Sequence, residues 1–303
     1  MGDRIKFTIL ITTKDRLQDL QFTLQKIDYL LQRDDVSCII CDDGSTDNTS
    51  AYLSENHSDI HLIRNEKSKG LIYSRNKLLA LTQSEFAISI DDDLHFITEN
   101  PLAVIEDHFR KHPECALVGF RIFWSTGLPD STDTDEIPHP MKSFAGGAHC
   151  WRMSAWNKIP DYPSWFIFHG EEDFAAYEMF KKKLEIHYLP AVLVHHRVDI
   201  KARKKNADYT IRLRRSLHSA WCLYFLFFPL VEIPKLMAYS VWMQFRLKVF
   251  KGDFRAFKAI TGALFDVMLS FPKVLRYSNR LTSNEYAEFQ KLPNIKLYWK
   301  PEK

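Results

Sequence analysis

The segment FAISIDDDLHF, residues 86–96, decides how this chain is interpreted, because three consecutive aspartates follow an apolar run. Residues 86–90 have the composition of a buried strand, and Asp91, Asp92 and Asp93 come directly after it. Adjacent carboxylates repel one another, so this placement is costly unless they share a cation. Side chains i and i+2 of an extended segment point the same way, so Asp91 and Asp93 can face one ligand. Their oxygens suit Mg²⁺ or Mn²⁺, which would in turn hold phosphate oxygens. The alternative to a metal site is a solvated acidic turn.

The segments before and around this cluster alternate between strand-like and helical patterns. Apolar runs predict strands at 7–11, 36–41, 60–64 and 86–90, and helical spacing predicts helices at 17–31, 49–55 and 70–81. This alternation predicts an α/β fold with a parallel sheet and right-handed crossovers. Ligands of such sheets bind beyond the carboxyl ends of the strands. Polar segments follow three of the predicted strands at that edge, at residues 12–16, 42–45 and 91–93.

The bulk composition is that of an ordinary globular chain of 303 residues. A net charge of +3 is too small to indicate nucleic acid as a partner. The five cysteines are scattered and odd in number, so we expect buried thiols in a reducing cytoplasm. We expect the same of Cys38 and Cys41, although they have C-x-x-C spacing. Neither a signal peptide nor an uninterrupted apolar run of about 18 residues is visible, so no membrane span is expected.

The pattern changes after Lys201. Residues 201–215 carry seven Lys or Arg against one Asp, and helical stretches rich in Leu and aromatic residues run from about 210 to 277. We therefore expect a sheet domain over residues 1–205 and a helical region over 206–303. Apolar helices that also carry cations can lie on an anionic membrane surface, here the inner face of the cell membrane. A helical subdomain packed on the sheet, or a homo-oligomer interface, explains the pattern equally well.

Taken together, the motifs resemble the family 2 glycosyltransferases of the GT-A fold. The resemblance covers about residues 5–200 and depends on six motifs in order: ILITTKDR, IICDDGSTDNT, GLIYSRNKLL, FAISIDDDLHF, FAGGAHCWRMSAW and HGEEDFAAYEMFKKKLEIHYLPAVLVHH. It implies a mostly parallel, Rossmann-like sheet flanked by helices, with a C-terminal helical extension. It also implies metal-dependent, inverting transfer of a sugar from a nucleotide diphosphate to a glycan or lipid-linked hydroxyl in cell-surface polysaccharide synthesis.

The resemblance assigns the first two polar segments to the nucleotide. Thr12, Thr13 and Arg16 would lie around the base. Asp43, with Asp42 beside it, would accept a hydrogen bond from the ring N–H of the base. Uracil and thymine have that donor and cytosine lacks it, and among these a UDP-sugar is favoured.

The resemblance assigns the phosphates and the metal to later motifs. By resemblance, Arg75 and Asn76 would meet the ribose or the phosphates, although a solvated helix face would also explain Arg75. Asp91 would bind the ribose or the metal shell with Asp92 beside it on the donor side, and Asp93 would bind Mn²⁺ or Mg²⁺ directly.

One further metal ligand and the catalytic base come from residues 171–196. His195 and His196 follow an apolar run, and only one is expected to bind metal because neighbours in an extended chain alternate sides, with His195 slightly favoured. By resemblance the base is the Asp of a Glu-Asp pair at a helix start. Literal matching of Glu-Glu-Asp gives Asp173, whereas counting back from Pro190 gives Glu172, and both stay open.

The acceptor side is assigned to two short segments. Gly146 and Gly147 permit close backbone approach and by resemblance border the sugar and the acceptor. Trp165 and His169 are candidates for an acceptor platform, although core packing explains Trp165 nearly as well. Two other functions compete with transfer. The first is a non-catalytic nucleotide-sugar binding protein, and the second is a nucleotidyltransferase, for which a Gly-rich phosphate loop is expected and ILITTKDR contains no Gly.

Overall fold

The structure is a computed structural model that describes residues 5–198 and 208–301. Its first half alternates strands and helices as predicted, with each boundary within two residues of the expected one. The elements are β1 (Phe7–Thr13), α1 (Leu17–Leu31), β2 (Val36–Asp42), α2 (Thr49–Asn56), β3 (His61–Arg64), α3 (Leu71–Leu81) and β4 (Phe86–Asp91).

The second part of the sheet region is less regular. It contains β5 (Leu94–Phe96), α4 (Pro101–Lys111), β6 (Cys115–Trp124), β7 (His139–Pro140), β8 (Ala148–Arg152), α5 (Met153–Trp156), a 3₁₀ turn (Ser164–Phe166), α6 (Glu171–Lys181) and β9 (Glu185–His196). The strands form one sheet in the order β3-β2-β1-β4-β8-β6-β9-β5, and β7 pairs with β9.

The predicted α/β class is confirmed, and the sheet is mixed. Strands β1 to β4 pair in parallel, as does β6 with β9. The pairings of β8 with β4 and β6, and those of β5 and β7 with β9, are antiparallel. Most of the paired residues lie in the parallel ladders, so the expectation of a mostly parallel sheet is confirmed. Strand β8 is antiparallel because it follows β6 through a loop instead of a crossover helix, so it returns in the opposite direction.

Hydrophobic cores lie on both faces of the sheet. Ile9 packs with α1 on one face, and Leu10 packs with α3 on the other, because successive side chains of β1 alternate. Cys38 belongs to the first core and Cys41 to the second. All five cysteines are buried and free, which confirms their prediction as buried thiols.

The helical region consists of α7 (Tyr209–Phe227), α8 (Ile233–Leu247), α9 (Phe254–Tyr277) and α10 (Ser283–Lys291). The predicted domain boundary at 205/206 and part of the basic segment 201–215 lie outside the described residues. Helix α7 packs on the sheet region, where Phe227 lies 5.3 Å from Phe174 and 4.9 Å from Tyr177 between ring centroids.

Helices α8 and α9 leave many large apolar side chains uncovered, and we call this surface the outer helical face. Phe254 is 74% exposed and Met268 is 71% exposed. The other exposed members on these helices and the turn between them are Tyr239, Trp242, Leu247, Phe250, Phe257, Leu264, Phe265, Leu269, Phe271, Leu275 and Tyr277. Within the described parts of the chain, none of the helices combines the length and apolarity needed to cross a membrane.

Candidate active site

The carboxyl ends of the strands bring Asp91, Asp93 and His196 together, with their ligand atoms within 4.8 Å of one another. Oδ1 of Asp93 lies 2.9 Å from Nε2 of His196, and both side chains are almost fully buried. Apart from this contact with each other, neither atom has a hydrogen-bond partner among the described residues. Buried polar atoms with so few partners are costly, so this pair fits a shared ligand. Two carboxylates and a neutral imidazole form a donor set that suits Mn²⁺ or Mg²⁺.

The charge state of Asp93 agrees with that arrangement. Burial alone would raise its pKa, but His196 and the guanidinium of Arg16 outweigh burial and hold the pKa well below its usual range. Asp93 is therefore ionised at neutral pH, as a metal ligand must be.

His196, and not His195, faces the aspartates. Nε2 of His195 lies 2.8 Å from the carbonyl oxygen of Ser125, and its ring packs 5.2 Å from His95. The two histidines are neighbours on β9, so their side chains point to opposite faces of the sheet. The slight preference for His195 as the ligand is therefore corrected to His196.

Arg16 and Thr13 hold the aspartate cluster. Nη1 of Arg16 lies 3.0 Å from Asp92 and Nη2 lies 2.7 Å from Asp93. The Thr13 hydroxyl donates to Asp92 at 2.8 Å. Burial raises the pKa of Asp92 to about 7, although Arg16 opposes the shift. Arg16 and Thr13 thus contact the acidic cluster, while Thr12 lies beside Asp91 in the sheet and is partly exposed.

Arg75 is buried between two acids instead of lying on a solvated helix face. Its Nη2 is 3.0 Å from Asp91 and its Nη1 is 2.7 Å from Glu171. Burial and the neighbouring Glu172 raise the pKa of Glu171, and Arg75 opposes them. The sequence did not single out Glu171; its only signal was its position as the first acid of the Glu-Glu-Asp run. Arg75 thereby connects α3, the end of β4 and the start of α6.

The carboxylates of Asp42 and Asp43 both accept hydrogen bonds from the protein itself. Asp42 is fully buried and accepts from the backbone N–H of Ser45 and the hydroxyl of Ser50. Asp43 accepts five hydrogen bonds, which come from the side chains of Asn65, Ser68 and Ser74 and the backbone N–H groups of Lys69 and Gly70. The Asp43 carboxylate holds the loop that begins α3, and its recognition of a nucleotide base stays a prediction.

Asn76 and Trp165 are also engaged elsewhere. The amide of Asn76 donates to the carbonyl of Tyr162 at 2.8 Å and accepts from its N–H at 3.0 Å, and its contact with the nucleotide sugar stays a prediction. It points away from Arg75 because adjacent helical residues differ by about 100°. The Trp165 ring packs 4.5 Å from Phe166 and 6.0 Å from His218, as core packing predicts. His169 is exposed and precedes α6, with a φ of 65°.

Gly146 and Gly147 leave room for the acids around them. A Cβ on Gly147 would lie 2.6 Å from Oδ2 of Asp91, and a Cβ on Gly146 would overlap the carboxylate of Glu172. The glycines therefore allow a close approach that other residues would prevent. Glu172 lies against Gly146, next to the Arg75 guanidinium, whereas Asp173 lies near Ser143 and burial raises its pKa.

Arg197 is a further residue that the sequence did not single out. Its backbone N–H donates to the carbonyl of Asp93 at 3.0 Å, and its guanidinium contacts Nδ1 of His95 and the hydroxyl of Thr23. The same Thr23 donates to the carbonyl of Asp92 at 2.7 Å. Arg197 thereby ties the end of β9 to α1 and to the aspartate backbone.

Comparisons with known proteins agree with this fold. The structure is similar to GalNAc-T7 with UDP, GalNAc and Mn²⁺, at 14% identity and a TM-score of 0.54 over 69% of this chain and 48% of that one. It is similar to the mannosyltransferase PcManGT from Pyrobaculum calidifontis with GDP-Man and Mn²⁺, at 14% identity and a TM-score of 0.54 over 95% and 79%. It is also similar to S. aureus TarS, at 15% identity and a TM-score of 0.53 over 73% and 40%.

At these identities the similarity shows the fold, which is the GT-A fold predicted from the motifs. The chain spans less than half the length of the GalNAc-T7 and TarS chains. No curated protein matches its sequence. Residues 8–169, more than half of the chain, match the family model described as Glycosyl transferase family 2. The chain belongs to glycosyl transferase family 2.

Proposed function

We propose that this protein is a metal-dependent glycosyltransferase that uses a nucleotide-diphosphate sugar as donor. The observation that carries the proposal is the buried pair of Asp93 Oδ1 and His196 Nε2, which contact each other and no other hydrogen-bond partner among the described residues, next to Asp91 at the carboxyl edge of the sheet. Asp91, Asp93 and His196 would hold Mn²⁺ or Mg²⁺. When bound there, the ion supplies positive charge that stabilises the departing diphosphate.

The surrounding cations position these ligands. Arg16 holds Asp93 and Asp92 from one side, and Arg75 holds Asp91 from the other. Fixed charges of this kind need no rearrangement during the reaction, so the carboxylates are already oriented when a donor enters. Thr12 lies next to Asp91 at the open edge, and both residues are partly exposed.

Glu172 is our candidate for the catalytic base. It lies against Gly146 beside the Arg75–Asp91 pair, whereas Glu171 is engaged by Arg75 and Asp173 by Ser143. Glu172 would take the proton from the acceptor hydroxyl while that oxygen bonds to the anomeric carbon from the face opposite the diphosphate. The bond to the diphosphate oxygen breaks in the same step, so the product has inverted configuration.

Fewer observations support the identity of the donor nucleotide. The preference for UDP came from Asp43, and this carboxylate already accepts five protein hydrogen bonds. Neighbouring structures contain UDP in one case and GDP-Man in another. Uridine and guanosine diphosphate sugars are therefore both donors to test first.

We propose a glycan or lipid-linked hydroxyl as acceptor, delivered at an anionic membrane surface. The support is the outer helical face, since α9 exposes nine large apolar side chains and carries four Lys or Arg against one Asp. That Asp, Asp266, is paired with Arg214 at 2.6 Å. Exposed apolar groups flanked by cations suit anionic headgroups, whereas a homo-oligomer would cover the same face with a second copy.

A panel of nucleotide sugars tests the activity. The full chain is incubated with UDP-, dTDP- and GDP-sugars, with Mn²⁺ or with a chelator, and released nucleoside diphosphate is measured. We expect metal-dependent release with one nucleotide class, and faster release when a suitable glycan is added. Binding without release in every case would indicate a nucleotide-sugar binding protein, and neither binding nor release would refute the proposal.

A further inference from the structure

A second cluster of metal-binding side chains lies at the opposite end of the sheet. His108 is in the last turn of α4, and His112 directly follows that helix. Cys115 is the first residue of β6, and His187 is near the start of β9, the strand that pairs with β6. His187 and His196 pair with Val118 and Trp124 of β6, six residues apart, which corresponds to about 20 Å at the usual rise of a strand. The two clusters are therefore separate.

The side chains of this cluster lie close enough to share one ion. Nε2 of His108 and Nδ1 of His187 are hydrogen bonded at 2.9 Å, and the ligand atoms of His108, Cys115 and His187 lie within 4.8 Å of one another. The ring centroids of the three histidines are 4.5, 5.1 and 5.1 Å apart. Imidazoles bound to zinc at about 2.1 Å and tetrahedral angles have centroids about 5 Å apart.

Two glutamates orient the histidines from outside. Glu185 lies 2.8 Å from Nε2 of His187, and Glu114 lies 3.1 Å from Nδ1 of His112. A carboxylate on one ring nitrogen makes it the protonated one and leaves the other as the ligand atom, as is usual for metal-bound histidines. In His187 that other atom is Nδ1, which faces His108.

The burial of the cluster favours a structural site. His108, Cys115 and His187 are 6%, 1% and 4% exposed, and only the side chain of His112 and the two glutamates form an exposed rim. Four protein ligands leave no open coordination position, which distinguishes structural zinc sites from catalytic ones.

We propose that His108, His112, Cys115 and His187 bind one zinc ion that joins α4 to the amino-terminal ends of β6 and β9. Binding displaces the thiol proton of Cys115, which now points to the carbonyl of Leu117 at 3.3 Å, and this proton leaves to solvent. The site is independent of the proposed transfer reaction, since none of its residues lies at the carboxyl edge of the sheet.

Cobalt(II) provides a spectroscopic test on the full chain. After treatment with a chelator, the protein is titrated with Co²⁺, and we expect one equivalent to produce a thiolate-to-cobalt charge-transfer band and a strong tetrahedral visible spectrum. Zn²⁺ should remove both by competition. Folded wild-type protein without a charge-transfer band overturns the proposal.

Variants locate the site. Cys115→Ser should lose the charge-transfer band, and His187→Gln should weaken cobalt binding at least tenfold. Cys38→Ser, a buried thiol of the first core, is the matched control and should keep the band. Asp93→Ala should also keep it, because the active-site cluster is separate. A band that survives in Cys115→Ser would assign the cobalt to another thiol and refute the site.

Discussion

Replacing Gly147 by Ala tests whether Asp91 occupies the position of a metal ligand. The added Cβ would lie 2.6 Å from Oδ2 of Asp91, whereas ordinary contact begins at 3.4 Å. The carboxylate must therefore retreat by about 0.8 Å, the difference between these distances. Ligand positions in metal sites are held to about 0.2 Å, so this shift removes Asp91 from any shared ion.

The expected size of the effect follows from comparable perturbations. Disturbing the groups that orient a metal ligand typically weakens metal affinity about 10- to 100-fold, and overpacking costs about 1–3 kcal/mol of stability. We expect the Mn²⁺ dissociation constant of Gly147→Ala to rise by at least about tenfold while the protein stays folded.

Electron paramagnetic resonance of free Mn²⁺ measures this constant directly, and urea unfolding checks the fold. Gly127→Ala is the matched control, because a Cβ at Gly127 meets no atom within 4 Å. It should bind Mn²⁺ as the wild type does. If folded Gly147→Ala also binds Mn²⁺ with wild-type affinity, Asp91 is not a ligand and the reasoning from its position fails.

Three further outcomes are expected. Glu172→Gln should lower kcat by about 10²- to 10⁴-fold and still bind donor, whereas Asp173→Asn should retain most activity. Steady-state kinetics measures both, and the reverse result would contradict the assignment of the base. Burial lowers the pKa of His149 to about 3 from 6.5, so the unfolded chain takes up the proton first as pH falls. The stability that this histidine contributes is therefore complete above pH 6.5 and falls toward pH 3, by about 1.4 kcal/mol between pH 7.5 and 5.5. Urea titrations of His149→Gln should show that much less acid sensitivity, and an unchanged pH dependence would exclude His149 as its source. Phe265→Glu with Met268→Glu should abolish sedimentation with anionic liposomes at low salt without changing the oligomeric state; a wild-type dimer that these changes dissociate would instead assign the outer helical face to a second copy.

The parts predicted from the sequence are those that local patterns determine. Strands β1 to β4 and helices α1 to α3 follow from apolar periodicity, and the position of Asp91 and Asp93 follows from the end of β4. The return of β8 as an antiparallel strand depends on a loop without a helical pattern, so the period of the sequence could not reveal it.

The environment of each polar side chain required the tertiary structure. Asp43 has the motif expected of a base-binding carboxylate, yet loop donors distant from it in sequence saturate its oxygens. The Arg75–Glu171 contact joins residues 96 positions apart, and no local signal relates them. The choice between His195 and His196 depends on how β9 pairs with β5, the strand that directly follows the aspartates, and this pairing is not visible in the sequence.

The central claim is that Asp93 helps to hold a metal ion on which donor binding depends. Calorimetric titration with UDP- and GDP-sugars tests it most directly. The titrated proteins are wild type, Asp93→Ala and the exposed-site control Asp59→Ala, each with Mn²⁺ and with a chelator. We predict that wild type and Asp59→Ala bind one donor class at least about tenfold more tightly with Mn²⁺ than with chelator, and that Asp93→Ala loses this difference. Binding by Asp93→Ala that still strengthens with Mn²⁺ to the wild-type extent would contradict the account.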